Sequence, residues 1–275
     1  MFAGAFSSAV GSIFIALLVL AALAIYLTVI GQISARKSTD DVTISTAPAQ
    51  TFGLPEAFLA AALILFLLLN IVASFGRSLP VQLNGRDLVA NFLLSLFVVF
   101  LIAAVLKLRG IDIDGLAGFS RTTLKRAIST AIVLLLAAAP LIAVAEGLTQ
   151  AFLGGESSRQ EIVDLFNSSG TIQERVMIIV LAVVVAPISE EFVFRFFIYG
   201  VLRRYAGVTV GLLFNALLFA AAHTHLPSAA PLFVLGVCFT LAYEWSGSIL
   251  VSMGMHSLFN SAQLVFLAFP QTVQQ

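Results

Sequence analysis

The sequence contains few charged residues and almost no cysteine. Charged side chains make up 10% of the 275 residues, and Cys238 is the single cysteine. One cysteine excludes an internal disulfide framework. The 14 basic residues are balanced by 14 acidic ones, so the chain has no net field to attract nucleic acid, and no nucleic-acid partner is expected. The GxSxG, HExxH and glycine-rich phosphate-loop signatures are also absent.

Hydrophobic residues dominate instead. They make up 60% of the chain, and the mean hydropathy is +1.07, far above that of soluble domains. About eight apolar runs are candidates for crossing ~30 Å of hydrocarbon, which takes about 20 residues, although the seventh is short. The composition therefore predicts an all-α, multi-pass protein of the cell membrane with about eight transmembrane helices in the lipid bilayer. The predicted runs are Ser12 to Ile30, Pro55 to Phe75, Leu88 to Leu106, Ala127 to Phe152, Arg175 to Leu202, Val208 to His223, Ala229 to Tyr243 and Ser248 to Phe269.

Three charged side chains interrupt one of these runs. Glu190, Glu191 and Arg195 fall in a stretch that is otherwise apolar from Val176 to Val201. A charge at the centre of a membrane helix costs roughly 2.5–3.5 kcal/mol, so these side chains are expected to face protein or water rather than lipid. The spacing of Glu191 and Arg195 predicts an ion pair within the helix, which leaves Glu190 free for chemistry. Pro187 lacks a backbone donor, which predicts a kink and open space beside that carboxylate.

Further polar side chains follow at apparent membrane depth. His223 shares a helix face with Phe219, and His256 shares one with Asn260. A carboxylate near an imidazole can remove a proton from water, while a second imidazole and an amide can donate hydrogen bonds to an oxyanion. The sequence therefore predicts that these groups converge on one cleft. For a bridging water, Glu190 and His223 should lie within roughly 6 Å of each other.

Three short sequence motifs contain these residues and occur in a recognisable order along the chain. Glu190 to Arg195 reads EExxxR, Phe219 to His223 reads FxxxH, and His256 to Asn260 reads HxxxN. This combination resembles the CPBP family, also called the Abi family, which contains the type II CAAX prenyl endopeptidases and their bacterial relatives. The resemblance covers about Thr171 to Phe269. The first four predicted helices lie outside it.

The resemblance implies an intramembrane glutamic endopeptidase that needs no cofactor. Its partner would be a peptide or protein substrate at the membrane, and CAAX-type processing of lipidated or membrane-associated peptides is one form of the activity. By the same resemblance, Glu190 and His223 would activate the water. His256 and Asn260 would form the oxyanion hole. The supporting residues implied are Glu191 and Arg195, which would organise the first helix of the site, and Phe219, which would pack behind His223.

Two other interpretations remain open. Two imidazoles and a carboxylate are a familiar catalytic zinc set, so Zn²⁺ held by Glu190, His223 and His256 is an alternative mechanism for the peptidase. A membrane Glu–Arg pair also occurs in proteins without enzymatic activity. The second alternative is therefore a transporter or an immunity-type protein with a buried polar centre.

The chain divides into two predicted parts. Residues 1–170 would hold about four N-terminal membrane helices and an interfacial loop helix, and residues 171–269 would hold a catalytic core of about four transmembrane helices. The loop helix is predicted within Gly154 to Thr171, because Ser158 and Glu161 form a capping-box pattern ahead of an amphipathic stretch. Thr171 and Glu174 repeat the capping pattern at the start of the fifth run.

The basic residues of the loops predict the orientation. If the connections after the first, third, fifth and seventh runs share one side, nine basic residues lie there against four on the other side. This asymmetry places the larger group in the cytoplasm and both termini outside. The larger group is Arg36, Lys37, Lys107, Arg109, Arg121, Lys125, Arg126, Arg203 and Arg204, and the smaller is Arg77, Arg86, Arg159 and Arg175.

Overall fold

The computed structural model describes residues 2–40, 52–75, 85–153 and 171–268. Helices connected by turns make up this part of the chain, and it contains no strand. The α-helices in chain order are α1 (Phe2–Asp40), α2 (Leu54–Phe75), α3 (Gly85–Leu108), α4 (Ile113–Ala117), α5 (Leu124–Leu153), α6 (Ile172–Val180), α7 (Ala186–Glu191), α8 (Gly200–Ala222), α9 (Ala229–Ser246) and α10 (Ile249–Ala268).

Each predicted apolar run lies on a helix, so the all-α multi-pass architecture is confirmed. Within the described ranges, six helical stretches are long and apolar enough to cross a membrane. The predicted fifth and sixth runs join in one of them, Ile172–Ala222, and the predicted eighth run is α10. Gly207 breaks the long stretch with φ 81° and ψ 171°, a conformation that glycine adopts without steric cost. A kink at Gly207, in the connection between the two predicted runs, therefore replaces the loop that the sequence predicted there.

The C-terminal helices form the interior of the bundle. α5 packs against α9 and α10, and α8 packs against α9. The spans of α1, α2 and α3 bury only 17%, 6% and 11% of their most apolar window, whereas the stretch Ile172–Ala222 buries 44% and the span of α9 buries 56%. In a bilayer the exposed leucine, isoleucine and phenylalanine side chains of α1 to α3 contact lipid. The outer helices thus shield the inner ones, where the polar motifs lie.

The start of the fifth predicted run has the predicted cap. Thr171 Oγ1 accepts a hydrogen bond from the Glu174 N–H at 3.2 Å, and Glu174 Oε2 accepts one from the Thr171 N–H at 3.2 Å. This reciprocal capping box satisfies two donors at the first turn of α6. The predicted interfacial helix between Gly154 and Thr171 falls outside the described residues, apart from Thr171 itself.

Candidate active site

Both glutamates lie on a short helix between two irregular segments. α7 is preceded by the π-helical segment Leu181–Val185 and followed by the π-helical segment Phe192–Tyr199. π-Helical turns are rare, and they occur frequently at functional sites. Pro187, the second residue of α7, has no N–H, so the helix cannot keep a regular hydrogen-bond ladder at this point. The predicted irregularity beside the glutamates is therefore present, as a pair of π-helical segments.

Asn260 compensates for the donor that Pro187 lacks. The Ala186 N–H bonds to the Leu181 carbonyl, five residues back, which is the π-helical pattern. Continued by one residue, that pattern would pair the Ala182 carbonyl with the missing N–H of Pro187. Asn260 Nδ2 on α10 donates to the Ala182 carbonyl instead, at 2.8 Å. The amide has a second N–H beyond this bond, and its predicted place in an oxyanion hole stays a prediction.

Glu191 and Arg195 form the predicted ion pair at the centre of the bundle. Glu191 Oε1 and Arg195 Nη1 lie 2.9 Å apart, and both side chains are fully buried. The guanidinium nitrogens have no well-directed hydrogen bond to any described residue, so the attraction between the two groups is mainly coulombic. The guanidinium carbon also lies 4.1 Å from the ring centroid of Phe219, 5.2 Å from that of Phe239 and 6.0 Å from that of Phe194. These distances place the cation over aromatic faces, which attract it electrostatically.

The same carboxylate oxygen orients His256. The Nδ1 atom of His256 lies 2.9 Å from Glu191 Oε1. Because an ionised carboxylate only accepts, His256 Nδ1 carries the proton of this hydrogen bond. The opposite ring nitrogen, Nε2, then faces Glu190 Oε2 at a distance of 3.9 Å. Glu190 Oε2 is itself buried and has no hydrogen-bond partner among the described residues.

His223 is oriented by its own helix. It follows the last residue of α8, and its Nδ1 donates to the carbonyl oxygen of Phe219 at 2.8 Å. A carbonyl cannot donate, so the neutral ring has its proton on Nδ1 and a free lone pair on Nε2. Thr224, the next residue, has φ 50°, which is uncommon for a residue other than glycine. The chain therefore turns away sharply directly after this imidazole.

Phe219 connects the two histidines. Its ring centroid lies 4.8 Å from that of His223 and 5.9 Å from that of His256, with edge-on geometry in both cases. Phe239 on α9 lies on another side of His256, with ring centroids 5.1 Å apart. Sequence reasoning missed Phe239, because it belongs to no motif and stands in a run that is apolar apart from Thr240. A buried cation that needs aromatic faces is the signal that could have drawn attention to it.

The structure brings most of the predicted residues together. Contacts link Glu190, Glu191, Arg195 and His256 directly, and Phe219 extends the cluster to His223. No hydrogen bond or ion pair joins Glu190 to His223 within the described residues, and His256 is the imidazole that faces the Glu190 carboxylate. The predicted approach of Glu190 and His223 to within about 6 Å stays a prediction.

The zinc alternative requires that Glu190, His223 and His256 lie close enough together to bind one metal ion. Among the residues that the structure describes, no three His, Cys, Asp or Glu side chains are grouped so that they could hold a metal ion. The Nδ1 atoms of both imidazoles are already engaged by protein acceptors. Such bonds are compatible with metal binding through Nε2, but the three proposed ligands do not form a preassembled set.

Comparisons with known proteins give matches to the C-terminal part of the chain. Residues 172–262 match the family model described as type II CAAX prenyl endopeptidase Rce1-like. One relative is the membrane-embedded CAAX protease MroQ of Staphylococcus aureus (strain USA300), 32% identical over 89 residues that cover 30% of this chain and 36% of that protein. The comparison thus spans about a third of the relative's length. No solved structure gives a significant match. Over this segment, which carries the buried polar centre, the chain is similar to the type II CAAX prenyl endopeptidases, and these matches support the predicted resemblance to the CPBP family.

Proposed function

We propose that the protein is an intramembrane endopeptidase in which Glu190 takes a proton from water. One observation carries this proposal. Glu190 Oε2 is buried without a hydrogen-bond partner among the described residues and faces the Nε2 of His256, whose other nitrogen is held by the buried Glu191. A carboxylate needed only for stability would be paired, as Glu191 is. The resemblance to the CPBP family supports a peptidase that works within the membrane.

The residues suggest a complete reaction. Glu190 removes a proton from a water molecule whose other hydrogen is accepted by the Nε2 lone pair of His223. The hydroxide adds to the scissile carbonyl, and the negative charge moves to the carbonyl oxygen. His256 acts here as an imidazolium, with its Nδ1–H bonded to Glu191, and its Nε2–H and the second N–H of Asn260 donate hydrogen bonds to that oxyanion. Glu190 then gives its proton to the leaving amine, which restores the carboxylate.

The substrate follows from the environment of the site. The cluster lies inside helices that cross the membrane, so the scissile bond must be presented at membrane depth by a membrane-associated peptide. The names of the matching family and of the relative from Staphylococcus aureus indicate CAAX-type ends. We propose lipidated or membrane-associated peptide ends of this type as the substrate class.

Substitution of the catalytic carboxylate tests the proposal. Glu190→Gln keeps the size of the side chain but removes the base, and loss of a general base typically lowers the rate by about 10²–10⁴-fold. We expect this loss in a cleavage assay with purified protein in lipid vesicles, with an unchanged thermal unfolding temperature. Turnover near that of the wild type would refute this mechanism, whereas the absence of cleavage by the wild-type protein itself would favour the transporter or immunity-type alternative.

Ser189 provides a matched control beside the glutamate. Its hydroxyl is buried and donates to the carbonyls of Val185 and Ala186, at 2.9 and 3.1 Å, within its own helix. Ser189→Ala should therefore leave turnover within a few-fold of wild type. Dialysis against a metal chelator should also leave turnover unchanged, because the proposed base needs no metal. Loss of activity on dialysis, with recovery on adding Zn²⁺, would replace the glutamate mechanism by the zinc mechanism.

A further inference from the structure

A second polar site lies at the opposite end of α8 from His223. A cavity of about 580 Å³ opens where the spans of α1 and α9 end, at Arg36 and Ser246. Val208 lines this cavity, and His223 lies fifteen residues further along α8, roughly 22 Å away at 1.5 Å per residue. None of the motif residues lines it. The cavity is therefore separate from the candidate active site.

The cavity has an excess of positive charge. Arg36, Arg121 and Arg203 line it, together with Glu244 as the acidic residue. Glu244 Oε2 is neutralised by Arg203 Nη1 at 3.0 Å and also accepts a hydrogen bond from the Tyr199 hydroxyl at 2.8 Å. Arg36 donates one hydrogen bond to the Trp245 carbonyl at 2.7 Å. Neither Arg36 nor Arg121 has a carboxylate partner among the side chains that the structure describes, so in this part of the chain two cationic groups border the cavity without a counter-charge.

An apolar groove lies beside the cavity. This groove, of about 250 Å³, is lined by Trp245 and by α5 residues from Ser129 to Leu134. Since α5 begins at Leu124, the groove runs from about 7 to 15 Å into the span. The Trp245 Nε1 atom donates to Gln32 Oε1 at 2.6 Å, which fixes the indole between the two spaces. Trp is enriched at this level of a membrane because it has an apolar body and a polar edge.

We propose that the cavity and the groove together bind one anionic phospholipid. Its phosphate lies between Arg36 and Arg121, and one acyl chain lies along Trp245 and the first turns of α5. Arginine suits this role because its planar fork binds phosphate oxygens in pairs. The cavity lies at the end of the spans, where lipid phosphates are found, and basic pockets between membrane helices are known to bind anionic headgroups. The volume of the cavity is within the range of ligand sites.

The single tryptophan of the chain allows a direct test. Trp245 is the one Trp in the sequence, so its fluorescence reports only on the groove. The 275-residue protein is reconstituted in vesicles that contain both phosphatidylcholine and phosphatidylglycerol. In one set the phosphatidylglycerol has brominated acyl chains, and in the other an equal amount of the phosphatidylcholine has them. Brominated chains quench tryptophan fluorescence on contact. Brominated phosphatidylglycerol should quench Trp245 more strongly than brominated phosphatidylcholine at equal mole fraction. Arg121→Gln should lower the relative affinity about fivefold.

A matched variant separates the site from general surface charge. Arg204→Gln removes one charge from the same end of the molecule, and Arg204 does not line the cavity, so it should keep the preference for phosphatidylglycerol. Equal quenching by the two lipids in the wild-type protein, or an equal loss of preference in both variants, would overturn the proposal. So would a preference abolished by inorganic phosphate alone, because the site would then bind the free anion.

Discussion

Arg195 is a fully buried cation with very few partners. One carboxylate oxygen of Glu191 approaches it, and the remaining surroundings are aromatic rings. Transferring a guanidinium and a carboxylate out of water costs several kcal/mol for each, which their mutual attraction only partly offsets. The pair is therefore weak evidence for stability by itself, but loss of one partner leaves the other charged and buried.

Removing only the cation should therefore destabilise the protein strongly. Arg195→Ala leaves the Glu191 carboxylate buried without its counter-charge and opens a cavity, at a cost of roughly 3–5 kcal/mol. We expect a clearly lower midpoint of thermal unfolding in detergent. Arg204→Ala, which removes an exposed arginine, serves as the control and should shift the midpoint very little.

A double variant separates the pairing from the packing. Glu191→Leu combined with Arg195→Met removes both charges, and such replacements are often neutral or stabilising. The double variant should unfold at a higher temperature than Arg195→Ala, yet remain inactive because His256 loses the acceptor of its Nδ1 proton. A double variant as unstable as the single one would contradict the coupling of these two charges.

At the level of single residues, the sequence predicted contacts between residues that are close together in the chain. Glu191 and Arg195 are four positions apart on one helix, so their contact follows from helix geometry and from the cost of exposing them to lipid. The contact between His256 and Glu191 depends instead on how α10 packs against α7. The sequence therefore predicted that His256 belongs to the site but did not predict which glutamate it contacts.

At the level of elements, short local interruptions position the site. Pro187 predicted an irregular helix, and the structure has π-helical segments on both sides of α7. Because Pro187 has no N–H, the Ala182 carbonyl oxygen accepts a hydrogen bond from Asn260 instead, on a helix more than seventy residues later in the chain. No periodicity in the sequence encodes that bond, because it requires the register of α10 against the π-helical segment. The break at Gly207 was likewise predicted as a loop between two runs, since the sequence does not reveal the backbone angles of a glycine.

Gly118 is an element boundary with no room for a side chain. It ends α4 with φ 70° and its N–H bonds to the Asp114 carbonyl. A side chain at this position would collide with the backbone oxygen of Gly247, at the turn between α9 and α10. The turn after α4 and the turn before α10 thus touch through two glycine backbones.

Replacing this glycine should loosen the junction. Gly118→Ala adds the steric cost of a left-handed residue, roughly 1–2 kcal/mol, and forces the two turns apart. We expect a lower unfolding temperature in detergent. Gly147→Ala is the matched control, because a Cβ atom at Gly147 would meet nothing within 4 Å. Equal midpoints for the two variants would show that the junction tolerates displacement.

At the level of the whole molecule, several arginines from different connections lie together at one end of the described bundle. Arg36, Arg121 and Arg203 border one cavity, and Arg109 pairs with Glu56 at the start of α2 at 3.2 Å. These arginines come from connections that the sequence assigned to one side by counting spans, and their grouping is confirmed. The count succeeded although two predicted spans join in one helical stretch, because Gly207 breaks that stretch where the connection was expected. The orientation of the bundle, that is, which of its ends faces the cytoplasm, stays a prediction.

The charge asymmetry predicts that the arginine-rich end faces the cytoplasm and the His223 end faces away from it. Single cysteines test this with a membrane-impermeant thiol reagent, because the native Cys238 is only 2% exposed and should not react. Leu226→Cys, at an exposed position close to His223, should react in right-side-out vesicles. Arg204→Cys should react in inside-out vesicles. The reverse labelling pattern would place the His223 end in the cytoplasm, and peptide substrates would then have to reach the site from the cytoplasmic side.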